Sequence, residues 1–207
     1  MGQCKYLPSP ASWAGLVLLW VCGPASADDG GIGLVLERSL AAPDIFQKVE
    51  GAKSTILVPG CRTSAGVDTF TREEWAAGKH EWPEVMAGAM AIADRMVDSL
   101  EVDWERDGNG VILYAVVRNG DPFFGSTMFS KRFLGRFRAE LGAELFVVVP
   151  EQGLMFVFPR YGGRLEDFAE ALTGIYTESA LRVSLEVFLV NETGCRAVGA
   201  INGAPRD

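Results

Sequence analysis

The chain has 207 residues, 48% of them hydrophobic and 10% aromatic, with 27 acidic against 19 basic side chains and a net charge of −8. Aromatic and aliphatic residues are abundant throughout, which excludes wholesale disorder. The acidic balance argues against a general nucleic-acid binder, whose footprint is basic.

The first residues read as a targeting segment. Lys5 is the only charge before Asp28, and an apolar run extends from Ala14 to Cys22. Pro24 breaks that run, and Ala25-Ser26-Ala27 supplies the small residues a signal peptidase needs. The run is far shorter than the roughly 20 residues that span a bilayer. Residues 1–27 are therefore expected to be a cleaved signal peptide, and the chain to be exported, to a periplasm or outside the cell. The alternatives are a buried N-terminal helix and a lipoprotein cleaved before Cys22, where Trp20 and Val21 are bulky for that cleavage. Tyr6 stands where a myristoylation motif wants Ser or Thr. Without the leader the chain keeps 18 basic against 27 acidic side chains, a net charge of −9, and no second apolar stretch long enough to anchor it in a membrane. What remains has the usual size of one domain with a real core.

Asp28 to Gly33 is a short Gly-rich start, and Gly33 to Val58 is ambiguous, with Ile45-Phe46 and Ile56-Leu57-Val58 as pieces of buried structure. Pro59-Gly60 is expected to end the second piece, with Arg62 to Asp68 as loop. Thr71 with Glu74 three residues on forms a capping box, predicting a short helix that holds Trp75. Pro83 fits the first turn of a longer helix with a stripe of Val85, Ala89, Ile92, Met96 and Leu100. Leu100, Val102 and Trp104 then alternate with Glu101, Asp103 and Glu105 as a strand with one wet face. Asp107-Gly108-Asn109-Gly110 is a turn, and Val111 to Val117 its partner strand. Ser126 or Thr127 is expected to cap a helix running to Leu141 and closed by Gly142.

The same order recurs. Leu145 to Val149 and Leu154 to Phe158 flank the turn Glu151-Gln152-Gly153, a helix follows on the stripe Leu165, Phe168, Leu172 and Ile175, and Val183 to Leu189 alternates before Asn191-Glu192-Thr193-Gly194 and a last strand from Cys195 to Ile201. Hairpins joined by single helices predict an α+β fold: a mainly antiparallel sheet built from helix–hairpin units, with helices packed on one face. The expected organisation is a signal peptide at 1–27, a partly ordered N-terminal extension at 28–70, the α+β domain at 71–202 and a tail at 203–207.

The segments Leu113-Tyr114-Ala115-Val116-Val117, Gly120-Asp121-Pro122-Phe123, Leu145-Phe146-Val147-Val148-Val149-Pro150 and Leu154-Met155-Phe156-Val157-Phe158, with the helix from Arg164, carry a family resemblance. Residues 111–189 resemble the C-terminal part of the YtpQ-like family, bacterial proteins of unknown function. The match is one of element order and apolar runs, and the leader is a departure from it. The resemblance implies an α/β fold and offers no catalytic residues to carry over.

Chemistry-bearing patterns are sparse. His80 is the only histidine and lies among charged residues between two short helices, which suits an exposed loop better than a catalytic role. One His and two separated Cys make a poor zinc set. The series Asp103, Glu105, Asp107, Asn109 resembles a calcium loop but has Tyr114 at the closing position, so a solvated hairpin fits it better. Phosphate-cradling glycine motifs are absent, and no metal, cofactor or catalytic residue is assigned. Asn191-Glu192-Thr193 matches a glycan acceptor but is equally a turn. Cys61 and Cys195 remain after leader removal; in an oxidising compartment they can pair, closing a long loop for about 5 kcal/mol in the chain-entropy account, or stand as two thiols.

One surface is less bland. On the helix after Ser126, Phe129, Phe133, Leu134, Phe137 and Leu141 share one arc, and Lys131, Arg132, Arg136 and Arg138 the other. Those four cations in an acidic chain form a candidate binding face for an acidic protein partner or an anionic lipid headgroup; an ordinary solvated face with cations near a helix C-terminus is the alternative. Three functions compete: a non-enzymatic exported binding or interaction domain, which the poor catalytic inventory favours; an envelope hydrolase using two carboxylates about 5–10 Å apart; and a structural partner within an envelope complex.

Overall fold

A computed structural model describes residues 31–201 apart from 42, 65 and 163. The expected signal peptide and the tail at 203–207 lie outside the described residues. The smaller of two sheets comes first in the chain. β1 (Ile32–Arg38) pairs antiparallel with β3 (Thr55–Thr63), in register from Ile32 opposite Cys61 to Arg38 opposite Thr55. β2 (Gln47–Lys48) and β4 (Gly66–Thr69) share the other edge of β3, β2 opposite Ile56 and Leu57, β4 opposite Gly60 to Thr63. The change of neighbour falls at Val58–Pro59, and a proline has no N–H to give a ladder there. Pro59-Gly60 therefore does not end the strand, and the expected loop from Arg62 is a tight hairpin. Successive residues of β1 and β3 are buried, Leu34, Val35 and Leu36 against Ile56, Leu57 and Val58. Burial on both faces erases the two-residue alternation, which is why this region reads as ambiguous. The stretch expected to be a partly ordered extension thus supplies a sheet and part of the main core.

From Val102 onward the expected hairpins form. β5 (Val102–Arg106) pairs with β6 (Ile112–Arg118), β7 (Leu145–Glu151) with β8 (Leu154–Pro159), and β9 (Glu186–Asn191) with β10 (Gly194–Ala200). The β6–β8 and β7–β9 pairings join them into a six-stranded sheet of order β10-β9-β7-β8-β6-β5, antiparallel throughout. The α+β class with mainly antiparallel sheets holds.

Helices α1 (Arg72–Ala77), α2 (Trp82–Asp98), α3 (Phe133–Leu141) and α4 (Ala169–Glu178) complete the described chain with short 3-10 turns. Val147, Val149, Met155, Val157 and Phe188 face α2 (Ala89, Val97), α3 (Phe133, Phe137) and the small sheet (Leu34, Leu36, Leu57). Val148, Phe158, Leu185 and Val187 face the opposite way and meet Leu172 and Tyr176 of α4. Helices on one face is thus correct for α2 and α3 and corrected by α4, because alternate residues of the central strands are apolar on both sides and each side must be covered.

Two local readings also shift. The buried stripe of α2 runs Val85, Ala89, Ala93 and Val97, with Ile92 and Met96 half-buried beside it. Ser126 and Thr127 cap no long helix; their hydroxyls donate back to the carbonyls of Phe123 and Phe124 at 2.7 Å, inside a 3-10 turn over Phe124–Phe129. Such back-bonding competes with α-helix, and α3 starts only at Phe133, after Ser130 in extended conformation. Beside that turn, Gly33 lies under the Phe123 ring, where a β-carbon would sit 2.3 Å from it.

A buried carboxylate ties the two sheets. Glu186 of β9 accepts from the backbone N–H groups of Lys53 at 2.6 Å and Ser54 at 3.3 Å, and from the Thr55 hydroxyl at 2.5 Å. Ser184 lies 2.8 Å from that hydroxyl, and Thr55, Ser184 and Glu186 are all buried. A carboxylate in a cradle of N–H and O–H donors is a charge-assisted site, stronger than neutral bonds.

Candidate functional site

Four of the five residues of the expected apolar arc, Phe133, Leu134, Phe137 and Leu141, are buried on α3, and Phe137 meets Trp104 edge-on at 6.0 Å, while Phe129 is half-buried in the preceding 3-10 turn. This plants the helix and turns its cations outward. Arg132 pairs with Asp94 at 3.9 Å and with Asp98, both on α2. Arg136 donates to the Leu100 carbonyl at 3.2 Å, and Arg138 pairs with Glu192 at 2.9 Å. Lys131 is exposed and makes no ion pair among the described residues. Of the four cations expected on one helix face, Lys131 and Arg132 lie in the turn before α3 and Arg136 and Arg138 on it, and Asp94, Asp98 and Glu192 answer Arg132 and Arg138. Exposed pairs of this kind stabilise little, about 0–1 kcal/mol; their effect is to flatten the positive field expected from the sequence.

Cys61 and Cys195 do not form a disulfide with each other. Cys61 lies in β3 of the small sheet, opposite Asp68, and Cys195 in β10 of the large one, opposite Val190. A bridge needs Cα atoms within about 7 Å, and the two cysteines do not meet at bonding distance. Burial pushes the Cys195 thiol up to about 12, so it stays protonated and unreactive as a nucleophile.

The feature missed by sequence reasoning lies between β4 and α2. Thr71 caps α1 as predicted: its hydroxyl accepts from the Glu74 N–H at 3.2 Å, while the Glu74 carboxylate accepts from the Thr71 N–H at 2.9 Å. Those bonds hold the Glu74 carboxyl below its ordinary range, the backbone N–H first and the hydroxyl second. After α1, Gly78 and Lys79 turn the chain, Lys79 with a left-handed φ of 51°. The turn folds the His80 ring back over Gly78, where a β-carbon would meet its Nε2 at 2.3 Å. His80 is thus half-buried, with Phe70 at 5.1 Å and Trp75 at 5.3 Å between ring centres. Trp75 also meets Phe70 at 5.7 Å and Trp82 at 5.2 Å. All four rings remain partly exposed, and α1 itself contributes no buried side chain. The available signal was compositional: three aromatic residues and the sole histidine fall between positions 70 and 82.

Elsewhere two expected turns are formed. Asp107 accepts from the N–H groups of Asn109 at 2.9 Å and Val111 at 2.8 Å, making the calcium-like series a hairpin turn. Asn191 similarly accepts from the N–H and hydroxyl of Thr193. No group of three metal-ligating side chains converges among the described residues, and no helix there is long and apolar enough to cross a membrane. A shallow groove of about 270 Å³ runs past Arg118, Asn119, Glu151 and Gln152, where Arg118 is already paired with Asp103 at 3.0 Å.

No protein-family model, curated protein or solved structure matches the chain. The YtpQ-like resemblance draws no support from these comparisons.

Proposed function

We propose that this chain is an exported interaction domain: residues 1–27 are removed before Asp28, and the folded body recognises a partner through its surface. The observation that carries the reading is α1. It is capped and held by an aromatic quartet, yet it buries nothing in either core cluster. Aromatic side chains are the costliest residues to leave half in water and the commonest anchors of binding surfaces. The α3 face remains a weaker candidate for an acidic partner or an anionic headgroup, because Arg132 and Arg138 already meet acids of the same chain. Kinship with the YtpQ-like family is part of the proposal, supported by the observed order from β6 through α4.

Two measurements test it. N-terminal sequencing of protein from a secreting host should read from Asp28; retention of Met1 on soluble cytoplasmic protein would overturn export. A photo-crosslinking side chain at the exposed Ala76 should give one discrete adduct in the exported fraction, and one at exposed Glu170 on α4 should not. Monomer alone at both positions would overturn the interaction reading.

A further inference from the structure

We infer that the surface formed by β4, α1 and the first turn of α2 docks an extended peptide segment that carries Lys or Arg between apolar side chains. This rests on the interaction reading above and specifies the partner's chemistry.

The aromatic quartet supplies the apolar half of the match. Phe70, Trp75, His80 and Trp82 are each half-buried and form one continuous group with centres 5.1–5.7 Å apart, Trp82 also packing against the main core. The register of the small sheet adds a neighbour. β2 leaves β3 at Gln47 opposite Leu57, and β4 reaches Thr69 opposite Gly60, which sets the exposed Phe46 and the half-buried Phe70 at the two strand ends flanking Val58–Pro59. Asp44 and Arg72, 3.8 Å apart, link the same two stretches.

Charge supplies the other half. Asp68, Glu73, Glu74, Glu81 and Glu84 flank the ring-bearing residues along the chain and are exposed, against Arg72 and Lys79. Arg72 is taken by Asp44, and the Glu74 carboxylate is taken by the Thr71 cap. Asp68, Glu73, Glu81 and Glu84 make no ion pair among the described residues. This differs from the α3 face, where the cations are answered from within the chain. An anionic bilayer would be repelled by this rim, and a second copy would set like charges against like. A cationic segment meets the rim favourably, and its Lys or Arg can also lie over indole faces. A half-apolar, half-acidic strip suits an extended chain, whose side chains alternate between two directions.

The test uses the purified protein and three synthetic ten-residue peptides, alternating Lys–Leu, Ser–Leu and Glu–Leu, with tryptophan fluorescence and calorimetry as readouts. The Lys–Leu peptide should bind tightest and should quench or shift the emission. The triple variant Glu73→Gln, Glu81→Gln, Glu84→Gln should weaken it roughly five- to tenfold at low salt, as expected for three exposed charge contacts. A charge-matched variant on the α4 side, Glu166→Gln, Glu170→Gln, Glu178→Gln, should change it less than about twofold. Equal weakening by both variants overturns the inference in favour of non-specific attraction to an acidic chain. If Ser–Leu binds as tightly as Lys–Leu, the cationic chemistry is overturned while docking at the aromatic surface stands. If none of the peptides binds, the inference falls, and the crosslinking experiment at Ala76 separately decides the interaction reading.

Discussion

α1 and α3 are both short helices with aromatic side chains beside charge, yet they stand in opposite relation to the fold. α3 buries Phe133, Leu134, Phe137 and Leu141, and its outward cations meet Asp94, Asp98 and Glu192. α1 buries nothing, is stabilised by its own cap and four half-exposed rings, and its acidic surroundings are mostly unanswered. The lesson is that a charged helix face becomes informative only once its neighbours are known. A face that looks conspicuous in sequence is neutralised when its helix is planted in the core among acids, while a helix the core does not need keeps its charges open.

The contrast breaks most readily on the α3 side. Phe133→Ala should cost roughly 3–5 kcal/mol in denaturant unfolding, because the ring is fully buried and the cavity has little room to collapse. A loss below about 1 kcal/mol would mean that α3 is not planted as described. Trp75→Ala should instead act locally. It deletes ring contacts to Phe70, His80 and Trp82, each worth about 0.5–1.5 kcal/mol. Amide exchange over residues 72–77 should therefore speed markedly while the global unfolding midpoint moves little. If Trp75→Ala lowered global stability as much as Phe133→Ala, α1 would belong to the cooperative core and the comparison would fail.

A smaller effect sharpens the electrostatic half. Arg132→Ala should cost no more than about 1 kcal/mol, since the side chain is exposed and its pairs with Asp94 and Asp98 lie in water. Arg132→Glu should cost slightly more, by placing a third acid beside those two. Thermal melts at low and high salt measure both, and the difference between the variants should shrink as salt rises.

How far all this was legible follows from which signals are local. The three hairpins could be read because their strands alternate or run apolar between unmistakable turns such as Asp107-Gly108-Asn109-Gly110. The α1 cap could be read because Thr71 and Glu74 are three residues apart. β1 and β3 could not, because strands buried on both faces lose their alternation. The start of α3 is not legible because Ser126 and Thr127 look like caps, and only the folded chain shows their hydroxyls turned back on it. Asp98 and Glu192, which pair with Arg132 and Arg138, come from 34 and 54 residues away, distances at which no pattern speaks. The Glu186 cradle spans a longer separation still. The aromatic quartet was visible as composition, but its assembly depends on a left-handed Lys79 that few residues signal.

The smallest expected effect concerns acid. The Glu74 carboxyl is held below its ordinary 4.5 because the charged form accepts from the Thr71 N–H and hydroxyl. A folded-state value below the unfolded one means the carboxylate's contribution is fully present above the unfolded value and is lost as pH falls through the folded one. The cap should therefore hold at neutral pH and weaken below about pH 4.5, confined to α1 because the Glu74 carboxylate bonds only Thr71 among the described residues. Emission from Trp75 and Trp82 should change in that window, and amide exchange over 72–77 should rise after correction for intrinsic rates, while amides of α3 stay protected. Glu74→Gln should remove the acid dependence while keeping a neutral capping box, which is the control that separates the cap from general acid loosening. If the Gln variant shows the same acid transition, the charge on Glu74 is not what holds α1, and the helix depends on its rings alone.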